Sequence, residues 1–296
     1  MTQTLPTETH VPTSSVPGLP DLLVEPVVRM ALAEDLGRAG DITTSATVPP
    51  GRVGEVALHS RDHGVVSGVQ AARLAWTLID PSVQVHVDVA DGGRVAPGAR
   101  IGTVRGPARA LLTAERVALN LLGHLSGVAT ATAGLVAAVE GSDTQITCTR
   151  KTTPGLRALE KLAVRHGGGS SHRFGLDDAV LIKDNHIAFA GGIREALEAA
   201  RSNVGHLVKI EIEVDTLDQL DEVLSIGADV VLLDNMTPDV LARAVAMVDG
   251  RCLTEASGRI TAETAGPIAR AGVDLISAGW ITHSAPVLDI GLDHLV

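Results

Sequence analysis

The sequence predicts an α/β protein in which a small α+β domain precedes a parallel α/β barrel. The chain has 296 residues, 45% of them hydrophobic, which suffices for a large core and suggests two domains at roughly 150 residues each. After about residue 140, apolar strand-like runs alternate with helical patterns, as in βαβ units. A polar or glycine residue ends or follows each of these runs, as in barrel enzymes.

The segment before residue 140 contains both strand and helix patterns. The first twenty residues are rich in Thr, Pro and Ser, and we expect a disordered tail over residues 1–20. A helix is predicted near residues 21–35, strands with period-two alternation in GEVALHS and VQVHVDV, and a long helix opening near Pro107. We therefore assign residues 21–140 to the α+β domain, including the long connecting helix.

Six strand and helix units follow, from QITCT with LRALEKLAV to the last strand, DLISAG. They occupy fewer residues than the roughly 200 or more of a complete eight-stranded barrel, so the count permits an incomplete barrel or an open sheet. Polar groups at every strand end favour the barrel, because an open doubly wound sheet gathers its ligand groups at one crevice. We assign the barrel to residues 141–285 and expect residues 286–296 to pack back on the first domain.

The strand ends form a predicted ring of functional groups. Its members are Arg150 and Lys151, Lys183, Glu213, Asp234, Ser257 with Gly258, and Gly279, and the loop before Lys183 adds His172 and Arg173. The cations cluster between residues 149 and 187 of a chain whose formal charge is -11. A solvated surface usually mixes both signs, so the cluster indicates a pocket for a small anion. The overall acidity argues against nucleic acid or an anionic membrane as the main partner.

The ring's acidic residues suggest a second task. Glu213 and Asp234 are carboxylates at neighbouring strand ends, suited to Mg²⁺ or sugar hydroxyls. A salt bridge or helix N-cap is the alternative, especially for Glu213, because Glu211 and Asp215 share its strand face.

The small residues of the ring suit a phosphate. Ser257 and Gly258 precede a helix start, where backbone N–H groups and the helix dipole favour an anion, although a plain turn fits equally well. Barrels often bind phosphate in the loops after their last two strands, and Gly279 lies in the second of these loops.

The long helix carries Arg116, Asn120 and His124 at spacings of four, which places them in one polar stripe. A surface stripe is the default interpretation, but the stripe also suits packing against another subunit, with Arg116 reaching into its pocket. No segment offers the ~18 consecutive apolar residues of a membrane span. Because the start of the chain lacks a signal-peptide pattern and there are only two cysteines, we expect a cytoplasmic protein.

Nine sequence runs together resemble the quinolinate phosphoribosyltransferase family. They are EDLGRAGDITT, ERVALNLLGHLSGVAT, TRKTTPGLRALEKLAV, GGGSSHRFGL, LIKDNHI, EIEVDTLDQL, VLLDNM, EASGRI and THSAPVLDIGLD. The match runs from about Asp21 to the C-terminus. It implies an N-terminal α+β open sandwich, an incomplete barrel of six or seven strands, and a homodimer with sites between subunits. It also implies decarboxylating phosphoribosyl transfer from phosphoribosyl pyrophosphate to quinolinate in NAD biosynthesis, with Mg²⁺.

The resemblance assigns a role to each matching position. Those that would hold the carboxylates of quinolinate are Arg150, His172, Arg173 and Lys183, with Arg116 entering from the partner chain. Those for phosphoribosyl pyrophosphate are Lys151 at the pyrophosphate, Glu213 and Asp234 at the ribose and Mg²⁺, and Ser257, Gly258 and Gly279 at the sugar phosphate. The implied catalytic residues are Lys151, Lys183, Glu213 and Asp234. One departure is Arg259, where the family usually has a second glycine.

The residues themselves support recognition of a dicarboxylate, because Arg forks make bidentate bonds to carboxylates that Lys cannot reproduce. Three alternatives stay open at this point. A related transferase would use another ring acceptor, and a non-catalytic relative would bind nucleotides. An aldolase would use Lys183, at the end of a barrel strand, as a Schiff-base nucleophile.

Overall fold

The structure is a computed structural model that describes residues 16–294. Most of the tail predicted over residues 1–20 therefore lies outside the described residues. The chain divides into two compact units: one runs to Thr130 and includes the residues from Pro286 onward, and the other is Ala131–Ala285. The division falls inside the long helix predicted to open near Pro107.

The described helices and strands alternate along much of the chain. The helices are α1 (Asp21–Leu36), α2 (Ile42–Thr47), α3 (Val69–Ile79), α4 (Ala108–Ala138), α5 (Arg157–His166), α6 (Asp184–Ala190), α7 (Ile193–Asn203), α8 (Leu217–Ile226), α9 (Pro238–Val248), α10 (Ala262–Arg270) and α11 (Trp280–His283). The strands are β1 (Val53–Ser60), β2 (Gly64–Val65), β3 (Gln84–Val87), β4 (Arg94–Val95), β5 (Arg100–Pro107), β6 (Gln145–Thr147), β7 (Val180–Ile182), β8 (Ile210–Val214), β9 (Val230–Asp234), β10 (Leu253–Ser257), β11 (Leu275–Ser277) and β12 (Ile290–His294).

The first unit contains an antiparallel sheet with the strand order β12-β1-β5-β3. Its core includes Trp76 of α3, which is fully buried and donates a hydrogen bond from Nε1 to the carbonyl of Leu111 at 3.1 Å. A buried indole needs such an acceptor for its N–H. The C-terminal strand β12 pairs with β1, from Val56 opposite His294 to Ser60 opposite Ile290. The chain thus returns to the first unit after completing the second.

Helix α4 is the one described helix that is long and apolar enough to cross a membrane by length and composition. In the structure, 61% of its most apolar window is buried inside the protein. A buried window is the property of a core helix. One of its glycines permits a close approach within the first unit, because a Cβ at Gly127 would lie 2.1 Å from the carbonyl oxygen of Pro286.

The second unit contains a six-stranded sheet with the order β6-β11-β10-β9-β8-β7, and all its pairs are parallel. The last strand, β11, pairs with the first, β6, while β6 and β7 occupy the two edges. A doubly wound sheet reverses its order at an internal point, whereas this order proceeds around a circle and leaves one gap. An isolated parallel bridge between Thr147 and Ser170 extends the β6 edge towards a seventh position. The predicted incomplete barrel is confirmed.

Local sequence sets where the helices begin after the strands. Thr216 and Gln219 form a capping box at the start of α8, and Thr261 and Thr264 do so for α10. Pro238 occupies the first turn of α9, where its missing N–H costs nothing. These signals end the loops after β8, β9 and β10 soon after the strands and keep the strand-end residues close to the sheet.

Candidate functional site

The six parallel strands bring their carboxyl ends to one edge of the barrel. Asp234 lies opposite Ser257 in the pairing of β9 with β10, and Ser277 lies opposite Thr147 in the pairing of β11 with β6. Glu213 lies opposite Leu232, so Asp234 is one pleat farther along. The residues predicted from strand ends therefore share one rim.

Two arginines stand close together on this rim, and the carboxylates of Glu211 and Asp178 only partly offset their charge. Arg150 follows β6, Arg173 lies in the loop before β7, and both are half-buried. Arg157 holds these loops together through hydrogen bonds to the carbonyls of Arg150 (3.5 Å) and Phe174 (3.2 Å). Burial lowers the pKa of Arg173, and the charge of Arg150 lowers it further.

The Nε atoms of Arg150 and Arg173 are buried and have no hydrogen-bond partner within the described residues. A buried donor without a partner is costly, and two neighbouring guanidinium groups repel each other. An anion placed between them removes both penalties at once. Planar carboxylates match the guanidinium fork best among small anions. The pair therefore has the properties of a carboxylate subsite.

His172 lies deeper in the barrel, and its side chain is bound to protein groups on both sides. Its Nε2 lies 3.0 Å from Glu211 Oε2 and 3.6 Å from Glu255 Oε1, and its Nδ1 accepts the backbone N–H of Arg173 at 2.8 Å. Buried Lys161 donates from Nζ to the carbonyl of His172 at 3.0 Å. His172 thus belongs to an interior polar cluster, which we call the buried cluster: Lys161, His172, Glu211 and Glu255.

Charges within the buried cluster are strongly coupled. Burial raises the pKa of Glu255 to about 7, and the neighbouring Glu211 carboxylate acts in the same direction. Burial lowers the pKa of His172, but the hydrogen bond to Glu211 and the charge of Glu255 outweigh it and raise the pKa overall. The N–H of Arg173 opposes this rise, since it needs an unprotonated Nδ1. The three ligand atoms of His172, Glu211 and Glu255 also lie within 4.8 Å of one another, close enough for a metal ion.

Lys183 and Glu213 form an ion pair between the Nζ and Oε2 atoms on the rim. Lys183 directly follows β7 and is partly exposed, whereas Glu213 in β8 is mostly buried. The next acidic strand end, Asp234, accepts a hydrogen bond from the side chain of Asn235. One cation and two carboxylates therefore follow each other along three neighbouring strands.

The loop after β10 forms a small-residue cradle. Gly258 has a φ of +103°, and a Cβ there would lie 2.3 Å from Asn235 Oδ1. The backbone N–H of Asn235 donates to the carbonyl of Ser257 at 2.9 Å, and Trp280 Nε1 donates to the carbonyl of Ile260 at 2.9 Å. These bonds fix the cradle from both sides, beside a cleft of about 650 Å³. Only glycine fits at position 258.

Lys151 lies beside the loop after β11, which contains Gly279. A Cβ at Gly279 would lie 3.1 Å from the Cδ of Lys151 and 3.3 Å from Thr149 Oγ1. Thr282 donates its hydroxyl to the carbonyl of Lys151 at 2.9 Å. Gly279 and Lys151 are therefore neighbours.

All predicted rim residues lie in the second unit, and Arg116 lies in the first. Of the predicted polar stripe, Arg116 and Asn120 are exposed on α4 and His124 is half-buried, while Leu119 and Leu122 are buried. The role predicted for Arg116 needs a partner chain.

Sequence reasoning did not identify Lys161 and Glu255 as partners of His172. Lys161 sits in the helical run ALEKLAV, where a lysine ordinarily lies on the solvent side, yet it is only 3% exposed. Glu255 is the central residue of the strand LTEAS and is 2% exposed. A charged residue in the middle of a strand of a buried parallel sheet was the available signal for Glu255.

Comparisons with known proteins agree with this geometry. Two family models match the chain: "Quinolinate phosphoribosyl transferase, N-terminal domain" over residues 41–126 and "Quinolinate phosphoribosyl transferase, C-terminal domain" over residues 128–293. The chain is 44% identical over 260 residues to a probable nicotinate-nucleotide pyrophosphorylase (carboxylating) of Bacillus subtilis, covering 88% of this chain and 89% of that protein. It is 46% identical over 271 residues to the nicotinate-nucleotide pyrophosphorylase (carboxylating) of Mycobacterium leprae, covering 90% and 95%. The crystal structure of NadC from Streptococcus pyogenes has a TM-score of 0.90 at 37% identity, covering 95% of this chain and 100% of that chain.

Proposed function

The chain belongs to the quinolinate phosphoribosyltransferase family, and from that premise we propose how its site divides the work of the reaction. The reaction is the decarboxylating transfer of a phosphoribosyl group from phosphoribosyl pyrophosphate to quinolinate, a step of NAD biosynthesis. The observation that carries the division of roles is the pair of buried Nε donors of Arg150 and Arg173, which have no acceptor among the described residues.

Quinolinate is assigned to the cationic side of the rim. Arg150 and Arg173 supply buried donors for its carboxylates, and Lys183 supplies a third cation at the end of β7. A ring with one carboxylate would leave one of these charges unpaired, at an effective cost of several kcal/mol. The arrangement therefore selects a dicarboxylate.

Phosphoribosyl pyrophosphate is assigned to the other side of the rim. Ser257, Gly258 and Gly279 would hold the sugar phosphate through backbone N–H groups, and Lys151 beside Gly279 would contact the pyrophosphate. Glu213 and Asp234 then face the ribose from the paired strands β8 and β9.

The donor set of Glu213 and Asp234 fits Mg²⁺, because this ion is usually held by one or two carboxylates together with substrate phosphates and water. Both side chains offer only oxygen atoms, which are the ligands that Mg²⁺ prefers. When bound, Mg²⁺ would neutralise charge on the departing pyrophosphate.

The chain's residues act by positioning and charge, and none of them serves as a nucleophile. The pyridine nitrogen attacks the anomeric carbon while the bond from that carbon to pyrophosphate breaks and its electron pair leaves with the pyrophosphate oxygen. Glu213 and Asp234 stabilise the cation-like sugar. The bond from the ring to the carboxylate beside the nitrogen then breaks, CO2 leaves, and the ring carbon takes up a proton.

The aldolase alternative is wrong. The family matches assign the chain to the transferases.

The reaction is tested by release of labelled CO2 from carboxyl-labelled quinolinate, omitting phosphoribosyl pyrophosphate and Mg²⁺ one at a time. We expect release that depends on both. Release without added Mg²⁺ after chelation would remove the metal from the proposal, and pyrophosphate formed with nicotinate instead of quinolinate would overturn the substrate.

Arg259 offers a test of the phosphate assignment that is particular to this chain. It is a non-glycine residue at φ 49°, it lines the cleft with Gly258, and the left-handed conformation costs it about 1 kcal/mol. We expect Arg259→Gly to raise the free energy of unfolding by about 0.5–1 kcal/mol, while the loss of the guanidinium raises the KM for phosphoribosyl pyrophosphate by roughly threefold to tenfold.

The matched control is Asp249→Gly, since Asp249 ends α9 at φ 48°. Its stability gain should be smaller, because Asp tolerates this conformation better than Arg, and both KM values should stay unchanged. Equal KM values in the Arg259→Gly variant and the unchanged protein would mean that Arg259 makes no phosphate contact.

We propose further that the enzyme is a cytoplasmic homodimer in which Arg116 enters the partner's site. Support comes from the exposed position of Arg116 on α4 and from two free cysteines. Arg116→Ala and Arg173→Ala should each be nearly inactive alone. Mixed and reassociated at equal amounts, they should recover about a quarter of full activity, because half of the dimers then contain one intact site. No recovery, with mixed dimers shown by native mass spectrometry, would place Arg116 outside the neighbouring site.

A further inference from the structure

The reaction scheme gives no role to Glu211 and Glu255 of the buried cluster, although these are among the most buried charged residues described. Glu211 is 7% exposed and Glu255 is 2% exposed. Each retains one buried Oε1 atom without a hydrogen-bond partner among the described residues. Burying two carboxylates costs free energy of folding. Their presence in the core therefore calls for a role.

The side chain that Glu211 and Glu255 share as a neighbour is His172. Its Nε2 lies at hydrogen-bond distance from Glu211, and Glu255, which is hydrogen-bonded to Ser277, adds a longer charge contact. Its Nδ1 accepts the N–H of Arg173, and its carbonyl accepts a hydrogen bond from Lys161 Nζ. Both ring nitrogens and the carbonyl are therefore occupied by protein. An imidazole bound in this way has no free nitrogen for a carboxylate of the substrate.

The anchoring reaches the rim through Arg173. Its backbone N–H is fixed by His172 Nδ1, and its guanidinium donates from Nη1 to the carbonyl of Ala179 at 3.1 Å. The loop between α5 and β7 contains no described strand, only the isolated bridge at Ser170, so these side-chain bonds fix the loop in place of a strand ladder. The position of Arg173 depends on them.

We propose that Glu211 and Glu255 are positioning residues for quinolinate: they hold His172 inside the barrel, and His172 in turn fixes the loop that presents Arg173. The proposal rests on the proposed function, because it treats Arg173 as a quinolinate ligand. It changes the expectation for His172 from a direct ligand of the carboxylates to a support for Arg173.

The test compares Glu211→Leu with Glu211→Gln. Gln keeps an oxygen that accepts from His172 Nε2, whereas Leu keeps the volume and loses the acceptor. We expect Leu to raise the KM for quinolinate about tenfold or more, with the KM for phosphoribosyl pyrophosphate within about twofold, and we expect Gln to restore most of the quinolinate KM. A purely structural role would lower the unfolding temperature of the Leu variant with no separation of the two KM values.

A second measurement needs no destabilised variant. Nitrogen NMR of the ¹⁵N-histidine protein, with the His172 signals identified by their loss in His172→Gln, should show an Nε2–H tautomer with unprotonated Nδ1 at neutral pH. The signals should move little when quinolinate is added. A proton on Nδ1, or a large shift of that nitrogen on binding, would mean that His172 contacts the substrate and would overturn the proposal.

Metal analysis separates this role from a metal centre. One equivalent of a transition metal in the purified protein, lost in Glu211→Leu, would show that the three side chains bind an ion instead of positioning a loop. The proposed function can fail separately. In that case the unchanged protein releases no CO2, whereas failure of the positioning role leaves its activity intact and makes the Leu and Gln variants alike.

Discussion

Replacing Arg173 with alanine should lower kcat/KM for quinolinate by about two to three powers of ten, because a bidentate, partly desolvated bond to a carboxylate is lost. Arg173 and Arg150 present buried Nε donors that have no acceptor among the described residues. The loss should fall mainly on quinolinate, with the KM for phosphoribosyl pyrophosphate changed little. Steady-state kinetics with each substrate varied in turn measures both effects.

Arg173→Lys distinguishes geometry from charge. Lysine keeps the positive charge but makes no planar fork, so we expect it to recover less than a tenth of the lost activity. Arg194→Ala is the matched control, because Arg194 is an exposed arginine of α7 that pairs with Glu198 one turn away, at 3.5 Å. If Arg173→Ala kept quinolinate turnover within a few-fold of the unchanged protein, the carboxylate subsite would lie elsewhere.

The rim could be predicted from the sequence because each of its residues is marked locally. A strand of a buried parallel sheet reads as an apolar run, and the polar residue that ends it, such as Lys183 or Asp234, must lie at the carboxyl edge. The parallel order of the strands then brings these residues together whatever the paths of the helices. The same logic predicted the cradle at Gly258.

The buried cluster could not be predicted in the same way. It joins a loop residue, His172, to strand residues 39 and 83 positions later in the chain, as the sequence separations to Glu211 and Glu255 show. These residues come together only through the closure of the barrel and the path of the loop between α5 and β7. The short helix α6 was also missed, because the seven residues after Lys183 carry no apolar period and none of them is buried.

The position of Lys183 could be predicted from the sequence, but its role and its partner could not. Its position at a strand end suits either an aldolase nucleophile or an anion ligand, and the sequence alone left both open. The family matches decide against the nucleophile, and the ion pair with Glu213 in the adjacent strand is a contact that the sequence did not indicate. Cross-strand pairs are set by register, which the apolar pattern of a strand buried on both faces leaves unspecified.

The stability of the protein should also depend on pH through Glu255. Its pKa is raised by burial from 4.5 to about 7. A group whose pKa is higher in the folded state contributes stability that is fully present below its unfolded pKa and is lost as the pH rises through its folded pKa. The free energy of unfolding should therefore fall between pH 5 and pH 8.

Glu255→Gln removes the titrating carboxyl while keeping its size and an oxygen that can accept a hydrogen bond. We expect its free energy of unfolding, relative to the unchanged protein, to improve by up to about 3 kcal/mol between pH 5 and pH 8. Urea unfolding at several pH values measures this difference, with Glu222→Gln, an exposed carboxyl of α8, as the control that leaves the pH dependence unchanged. Parallel curves for the Glu255→Gln variant and the unchanged protein would mean that Glu255 keeps its charge throughout this range. The buried cluster would then hold His172 as an imidazolium, and the N–H of Arg173 would have to find another acceptor.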